Sequence, residues 1–246
     1  MTAPALVALA NGGRDARSVA SVTSLVDMVR TMRPDLRIER AFVEAGRPGF
    51  RSVIDRLARR GVEEAVVVPL QLGDRLPADS ALAGAVAAMR DRADIEVRAT
   101  AGLGLEPAFL EVLDERLREA LRQARVRELD ALVLAADGSA DSLGTQAVAR
   151  LARVWGTHHR LPVTAAFAAV SPPSTGEAVR AFRSQGRRHI AVGTLILEPG
   201  SVADRAAELA LEAGAIAVSE PLGAHHSLAR AVLARYAVGA VELVPV

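Results

Sequence analysis

The second half of this chain repeats the first. Ala5-Leu6-Val7-Ala8-Leu9-Ala10-Asn11-Gly12-Gly13 aligns with Ala131-Leu132-Val133-Leu134-Ala135-Ala136-Asp137-Gly138-Ser139. Further on, Ala41-Phe42-Val43 aligns with Ala166-Phe167-Ala168, and Ala65-Val66-Val67-Val68 with Ile190-Ala191-Val192-Gly193. Gly102-Leu103-Gly104 then meets Pro221-Leu222-Gly223. The order of landmarks is kept and their spacing drifts only by small insertions and deletions. One supersecondary unit has been built twice, and any fold for the chain has to be a fold for half of it. On this reading the domains are residues 1–126 and 127–246, joined through an Arg-rich helix end and Glu128-Leu129-Asp130.

Within each half, short apolar runs alternate with longer stretches of helical period. Strands are predicted at Ala5–Ala10, Arg37–Val43, Ala65–Leu70 and Ile95–Thr100, and helices near Asp15–Met32, Gly49–Arg60, Ala78–Arg90 and Pro107–Ala124. The last of these places Phe109, Val112, Leu113, Leu117 and Leu121 on one stripe, with charges on the other side. Helical crossovers of this length return the chain to a parallel neighbour. The predicted class is therefore α/β: two tandem copies of a four-stranded parallel βα sheet flanked by helices, facing each other across a cleft. Val238–Val246 reads as an extra C-terminal strand.

Composition agrees and removes several kinds of chemistry. Half of the residues are hydrophobic, yet there are only five Phe, one Tyr and one Trp, so the core is aliphatic, as in a parallel sheet covered on both faces. Aromatic platforms for stacking bases are scarce and the formal charge is only +1, so no nucleic-acid partner is expected. All thirty basic residues are Arg, which excludes a Schiff-base or P-loop lysine. Cysteine is absent, and with it disulfides, thiolate metal sites and a thiol nucleophile. The N-terminus lacks a basic segment and its apolar run is too short for a signal peptide or a membrane span, so the expected location is the cytoplasm.

In an open parallel sheet, ligands bind where strand ends lead into helix N-termini. Two loops per half have this position. The first is Asn11-Gly12-Gly13-Arg14-Asp15, with Asp137-Gly138-Ser139-Ala140-Asp141 as its copy; glycine there lets backbone approach a ligand, and the following helix start favours an anion. Its spacing is not the dinucleotide G-x-G-x-x-G. The second is Gln71-Leu72-Gly73-Asp74-Arg75-Leu76-Pro77-Ala78-Asp79, copied as Leu197-Glu198-Pro199-Gly200-Ser201-Val202-Ala203-Asp204. Asp79 and Asp204 suit the electrostatics of a helix start.

These residues resemble the CbiX-like sirohydrochlorin chelatases, the class II metal chelatases of sirohaem and cobalamin synthesis. That family ends its first strand in A-H-G-S-R-D, its second in A-F-x-E, and its third in V-P-L-x-L followed by G-x-H-x-x-x-D. This chain reads Ala10-Asn11-Gly12-Gly13-Arg14-Asp15, Ala41-Phe42-Val43-Glu44, and Val68-Pro69-Leu70-Gln71-Leu72 with Gly73-Asp74-Arg75. The resemblance implies an anionic tetrapyrrole as ligand, Co²⁺ or Fe²⁺ as substrate rather than a tightly bound cofactor, and two histidines that bind the metal and accept pyrrole protons. Those two positions are Asn11 and Arg75 here, and the second copy offers Asp137 and no His in its Gly200 loop. Asn is neither a base nor a good metal ligand, and Arg keeps its proton and repels a cation.

The catalytic positions implied are thus Glu44, Asn11 and Arg75, and the ligand-binding positions Gly12, Gly13, Arg14, Gly73, Asp137, Gly138, Ser139 and Gly200. Glu44 and Asp137 are the candidate metal ligands, while Arg14, Arg17 and Arg75 suit the carboxylates of a tetrapyrrole, which guanidinium pairs with bidentately. His158-His159 is placed in a loop, His189 before a strand and His225-His226 at a helix start, all as surface or capping residues; adjacent helical residues point apart and are not expected to share an ion. Two readings follow: a chelatase with an altered site, or a non-catalytic tetrapyrrole carrier, sensor or partner protein. An unrelated enzyme on the same scaffold is the third. The duplication supplies two sides of a cleft in one chain, so a monomer is expected.

Overall fold

A computed structural model of the chain describes residues 3–12, 15–73, 81–90, 94–138, 142–169 and 171–241. The first half runs β1 (Ala5–Ala10), α1 (Ala16–Met32), β2 (Ile38–Phe42), α2 (Phe50–Arg59), β3 (Glu64–Pro69), α3 (Ala81–Arg90), β4 (Glu96–Ala99) and α4 (Ala108–Gln123). The second runs β5 (Ala131–Ala136), α5 (Ser142–His159), β6 (Val163–Phe167), α6 (Thr175–Ser184), β7 (Ile190–Leu195), α7 (Ser201–Glu212), β8 (Ala217–Val218) and α8 (His226–Val241). The strands form two all-parallel sheets, ordered β2-β1-β3-β4 and β6-β5-β7-β8. Two four-stranded parallel sheets flanked by helices are as predicted, and the register repeats too: Leu6 pairs with Ile38 and Val66, while Leu132 pairs with Val163 and Ala191.

Both faces of each sheet are buried, which is why the central strands are apolar without alternation. In the first sheet Ala5, Val7 and Leu9 point to one face, against Phe50, Val53, Ile54 and Leu57 of α2 and Leu82, Val86 and Met89 of α3. Leu6 and Ala8 are equally buried and point to the other face, where α8 packs on β3 and on α1. The second sheet repeats the pattern. Val133 and Ala135 meet Val179 and Phe182 of α6, while α5 lies on β5 and β6 and α4 on β7 and β8.

The covering helices change partners between sequence and space. One compact unit contains residues 1–104 and 224–246, and the other residues 105–223. The sequence repeat divides at 126/127, but packing does not: α4 belongs to the sheet of the second half, and α8 to the sheet of the first. An apolar stripe on a helix demands a buried face without naming the sheet that provides it. Tyr236 on α8 is tied to its sheet through a hydrogen bond donated by its hydroxyl to the Pro4 carbonyl at 2.8 Å. On α4, Phe109, Val112, Leu113 and Leu117 of the predicted stripe are buried and Leu121 is half-buried.

The extra strand expected at Val238–Val246 is not there. Residues 238–241 are the last turn of α8, and residues 242–246 lie outside the described residues. The apolar run misleads because this end of α8 uses small residues for close approach. A Cβ on Gly239 would stand 2.7 Å from Val66 Cγ1 and 2.8 Å from Thr100 Cγ2. Among the described residues no helix is long and apolar enough to cross a membrane.

Gly239 makes a test of this packing. Alanine raises intrinsic helix propensity by about 1 kcal/mol over glycine. Here the overlap with two stiff β-branched side chains outweighs that gain, and overpacking of this kind costs about 1–3 kcal/mol. Gly239→Ala is expected to lower the thermal midpoint; a raised midpoint would contradict the close approach of α8 to β3.

Candidate functional site

The strand order places the carboxyl ends of β2, β1 and β3 side by side, and the two signature loops leave from β1 and β3. The ladder continues one step past the strands: Val43 N donates to the Ala10 carbonyl at 3.1 Å and Glu44 N to the Asn11 carbonyl at 2.9 Å. Asn11 and Glu44 are therefore neighbours across the strand ends, and both are exposed. In the second unit, Ala168 N donates to the Ala136 carbonyl at 2.8 Å and Ala169 N to the Asp137 carbonyl at 2.9 Å. The pair Asn11/Glu44 thus corresponds to Asp137/Ala169. Each unit carries one carboxylate at this place, on the β2 side in the first and on the β5 side in the second.

The glycines that follow are required by geometry. Gly12 has φ +71°, and a Cβ there would meet Phe42 Cδ1 at 2.9 Å. Gly138 has φ +125°, and a Cβ would stand 2.3 Å from the Ala169 carbonyl oxygen. A side chain at either position would push the paired strand ends apart. The structural requirement is sufficient to explain both glycines.

The loop after β3 is anchored in the same way. Leu103 N donates to the Gln71 carbonyl at 2.8 Å, and a Cβ on Gly102 would stand 2.4 Å from the Gly73 carbonyl oxygen. Gly73 itself has φ +129°. Gly102 thus holds the Gln71–Gly73 segment at close range. Its signal in the sequence is its place at the start of the Gly102-Leu103-Gly104 landmark. In the second unit Gly223 N reaches the Leu197 carbonyl at 2.9 Å, and Gly200, with φ +154°, precedes α7. Asp204 lies in the first turn of α7, where an acid complements the helix dipole, as predicted. Gly13, Arg14, Arg75, Asp79 and Ser139 lie outside the described residues.

Charges around these loops differ in what they are free to do. Asp15 caps α1, accepting from Arg17 N at 2.8 Å, and its carboxylate takes the Arg17 side chain at 3.1 Å and 2.6 Å through Nε and Nη2. That partnership holds the Asp15 carboxyl below the usual range and commits the Arg17 guanidinium to α1 rather than to a ligand. Asp137 is the opposite case. Its residue surface is exposed, yet protein packed about the carboxyl desolvates it and raises its pKa above the ordinary carboxylate value.

The histidines depart from expectation at one place. His225 Nδ1 accepts from Ser227 N at 3.1 Å at the start of α8, and His189 directly precedes β7; both are as predicted. His158 and His159 are not in a loop: they are the last two residues of α5. The helical period of α5 continues to the turn at Arg160, whose φ is +55°. His159 is not merely a surface residue either, since its Nε2 lies 2.8 Å from Asp114 Oδ1.

The sequence matches the CbiX family over residues 5–120 and again over residues 131–238, one match per repeat. No curated protein matches the chain. Among solved structures, SirB from Bacillus subtilis with Fe³⁺ superposes with a TM-score of 0.77 at 16% sequence identity, covering 98% of this chain and 96% of that one. Sirohydrochlorin chelatase SirB from Bacillus subtilis subspecies spizizenii in complex with cobalt gives 0.78 at 16% identity, covering 98% and 97%. CbiX, described as the terminal enzyme for biosynthesis of sirohaem in denitrifying bacteria, gives 0.64 at 18% identity, covering 96% and 98%. At these identities the structures establish a shared fold, while the two sequence matches establish descent: the chain belongs to the CbiX family.

Proposed function

We propose that this chain carries out chelatase-type chemistry on an anionic, sirohydrochlorin-type tetrapyrrole, exchanging two pyrrole protons for a divalent ion, Co²⁺ or Fe²⁺. The observation that carries the reading is the pairing of Asn11 with Glu44 at the ends of β1 and β2, the strand ends where the family motifs lie. The ion enters as substrate. Glu44 contributes a carboxylate that ligates a divalent cation or accepts a pyrrole proton. Asn11 contributes a neutral carboxamide, able to hydrogen-bond a ligand and unable to act as a base. Asp137 occupies the equivalent strand end in the second unit, and a desolvated carboxyl gains by meeting a cation.

One observation favours a second reading. With Asn11 and Arg75 in place of the family's two imidazoles, the chain lacks the bases of the ordinary mechanism, which suits a protein that holds or delivers a tetrapyrrole without metallating it. Anaerobic absorbance spectra with sirohydrochlorin, before and after Co²⁺, separate the two. Chelation predicts protein-dependent metallation faster than the metal-only control, reduced at least tenfold in Glu44→Gln. A carrier predicts a spectral shift on binding with no acceleration, and a gain of activity in Asn11→His/Arg75→His. No shift and no rate would refute both.

The Asp137 carboxyl makes a pH-dependent prediction. Its folded pKa is raised, so the folded state holds this proton more tightly than the unfolded state, and ionising it costs stability as pH rises through the carboxylate range. Asp137→Asn removes that cost. The variant is expected to melt above wild type at pH 7, with the difference vanishing once pH falls below the ordinary carboxylate range. Equal melting at pH 7 would count against a desolvated carboxyl there.

A further inference from the structure

Asp114 is a charged residue on the apolar face of α4, with its side chain only 8% exposed. Its Oδ1 accepts from Trp155 Nε1 at 2.7 Å and lies 2.8 Å from His159 Nε2. Its Oδ2 faces His158 Nε2 across 3.8 Å, beyond hydrogen-bond reach. The two imidazoles, though adjacent in sequence, meet edge to face with ring centroids 4.9 Å apart. One ligand atom from each of the three side chains lies within 4.8 Å of the others. All three residues belong to the compact unit 105–223, on helices α4 and α5, and none is among the signature-loop residues.

We propose that Asp114, His158 and His159 form a binding site for one divalent first-row transition ion. Two imidazoles and one carboxylate are a donor set suited to Co²⁺, Ni²⁺ or Zn²⁺. Bonds of about 2.0–2.2 Å to a shared ion bring donor atoms to roughly 3–4 Å from one another, so the three groups need to close by only a small amount. The group with the freedom to do so is His158, whose side chain is 70% exposed. The other two are held in place. Asp114 is fixed by the indole N–H of Trp155, which is itself fully buried against Gly193. A donor that orients a ligating carboxylate from behind is the usual outer support of a metal site. The outward face at His158 leaves room for water to complete the coordination. The ion brings its own charge to a buried carboxylate that otherwise shares a single oxygen between two donors.

This site does not rest on the chelatase reading, and its test has a reporter built in. The chain has one tryptophan, and the Trp155 ring centroid is 5.4 Å from that of His159. A paramagnetic ion bound at the site sits close enough to quench its emission. Titration of the full chain with Co²⁺ is expected to quench Trp155 fluorescence at one equivalent, and Zn²⁺ to raise the thermal midpoint. His158→Ala, at an exposed position that leaves the fold intact, is expected to weaken both effects at least tenfold, and His158→Ala/His159→Ala to abolish them. Glu44→Gln is expected to leave the Trp155 quench unchanged, since that reporter lies beside His159. The proposal is overturned if wild type shows no quench, if the double variant quenches as wild type does, or if Glu44→Gln removes the effect. Loss of sirohydrochlorin metallation with the Trp155 response retained would refute the chelatase reading alone.

Discussion

A parallel sheet has to be covered on both faces, because its central strands expose apolar side chains in both directions. β1 and β5 meet that condition fully, with every residue of each buried. In each half α2 and α3, or α6 and α7, cover one face; α1 or α5 begins the other. The rest of that second face is closed by the last helix of the opposite half of the sequence, α8 on β3 and α4 on β7 and β8. A half cut at residue 126 would contain a helix with no sheet and a sheet short of a helix. The duplication is therefore a repeat of sequence, while the folding units are made by exchange.

The site is a consequence of the same arrangement. With β1 flanked by β2 and β3, three strand ends open side by side, and the loops leaving them hold the candidate site residues Asn11 and Glu44. The register decides which residues meet. Val43 and Glu44 continue the ladder along Ala10 and Asn11, so position 44 is brought to position 11 by backbone hydrogen bonds and not by any attraction between the side chains. Gly12 and Gly102 then set how closely the loops approach, through Phe42 and the Gly73 carbonyl respectively. None of these constraints depends on which side chain stands at 11 or 44.

The elements were legible in the sequence where one physical signal dominated. Central strands such as Ala65–Val68 are short apolar runs between turn signals, and α4 shows its stripe plainly. The C-terminal run was not legible, because α8 approaches β3 through Gly239 and presents small apolar residues where an amphipathic helix would show polar ones. In the sequence His158 and His159 fall between Gly156 and Pro162, two turn signals, yet α5 runs through Gly156 to His159 and turns only at Arg160. The partners of Asp114 were beyond reach altogether: Trp155 and His159 lie more than forty residues away, and a lone Asp within an apolar stripe says only that something must satisfy it. At the strand ends the residue types were legible in the repeat, while the Asn11–Glu44 adjacency was not, since it depends on β2 pairing with β1 in this register. Nor was the desolvation of Asp137, since it depends on packing around the loop.

The two copies have kept backbone and changed chemistry at the same places. Asn11 and Glu44 correspond to Asp137 and Ala169, so each strand-end pair retains one carboxylate but on opposite members. The reason such drift is tolerated is visible in what fixes the loops: a Cβ at Gly12 collides with Phe42 and one at Gly138 with the Ala169 backbone, so the glycines are held by sterics that the neighbouring side chains do not touch. Positions 11, 44, 137 and 169 sit at the exposed or half-exposed mouth of the sheet, where substitution costs little stability. A scaffold of this kind loses or exchanges ligating groups without losing its fold. Family membership therefore accounts for the backbone these two copies share, while the chemistry of each copy rests on the side chains that stand at its strand ends.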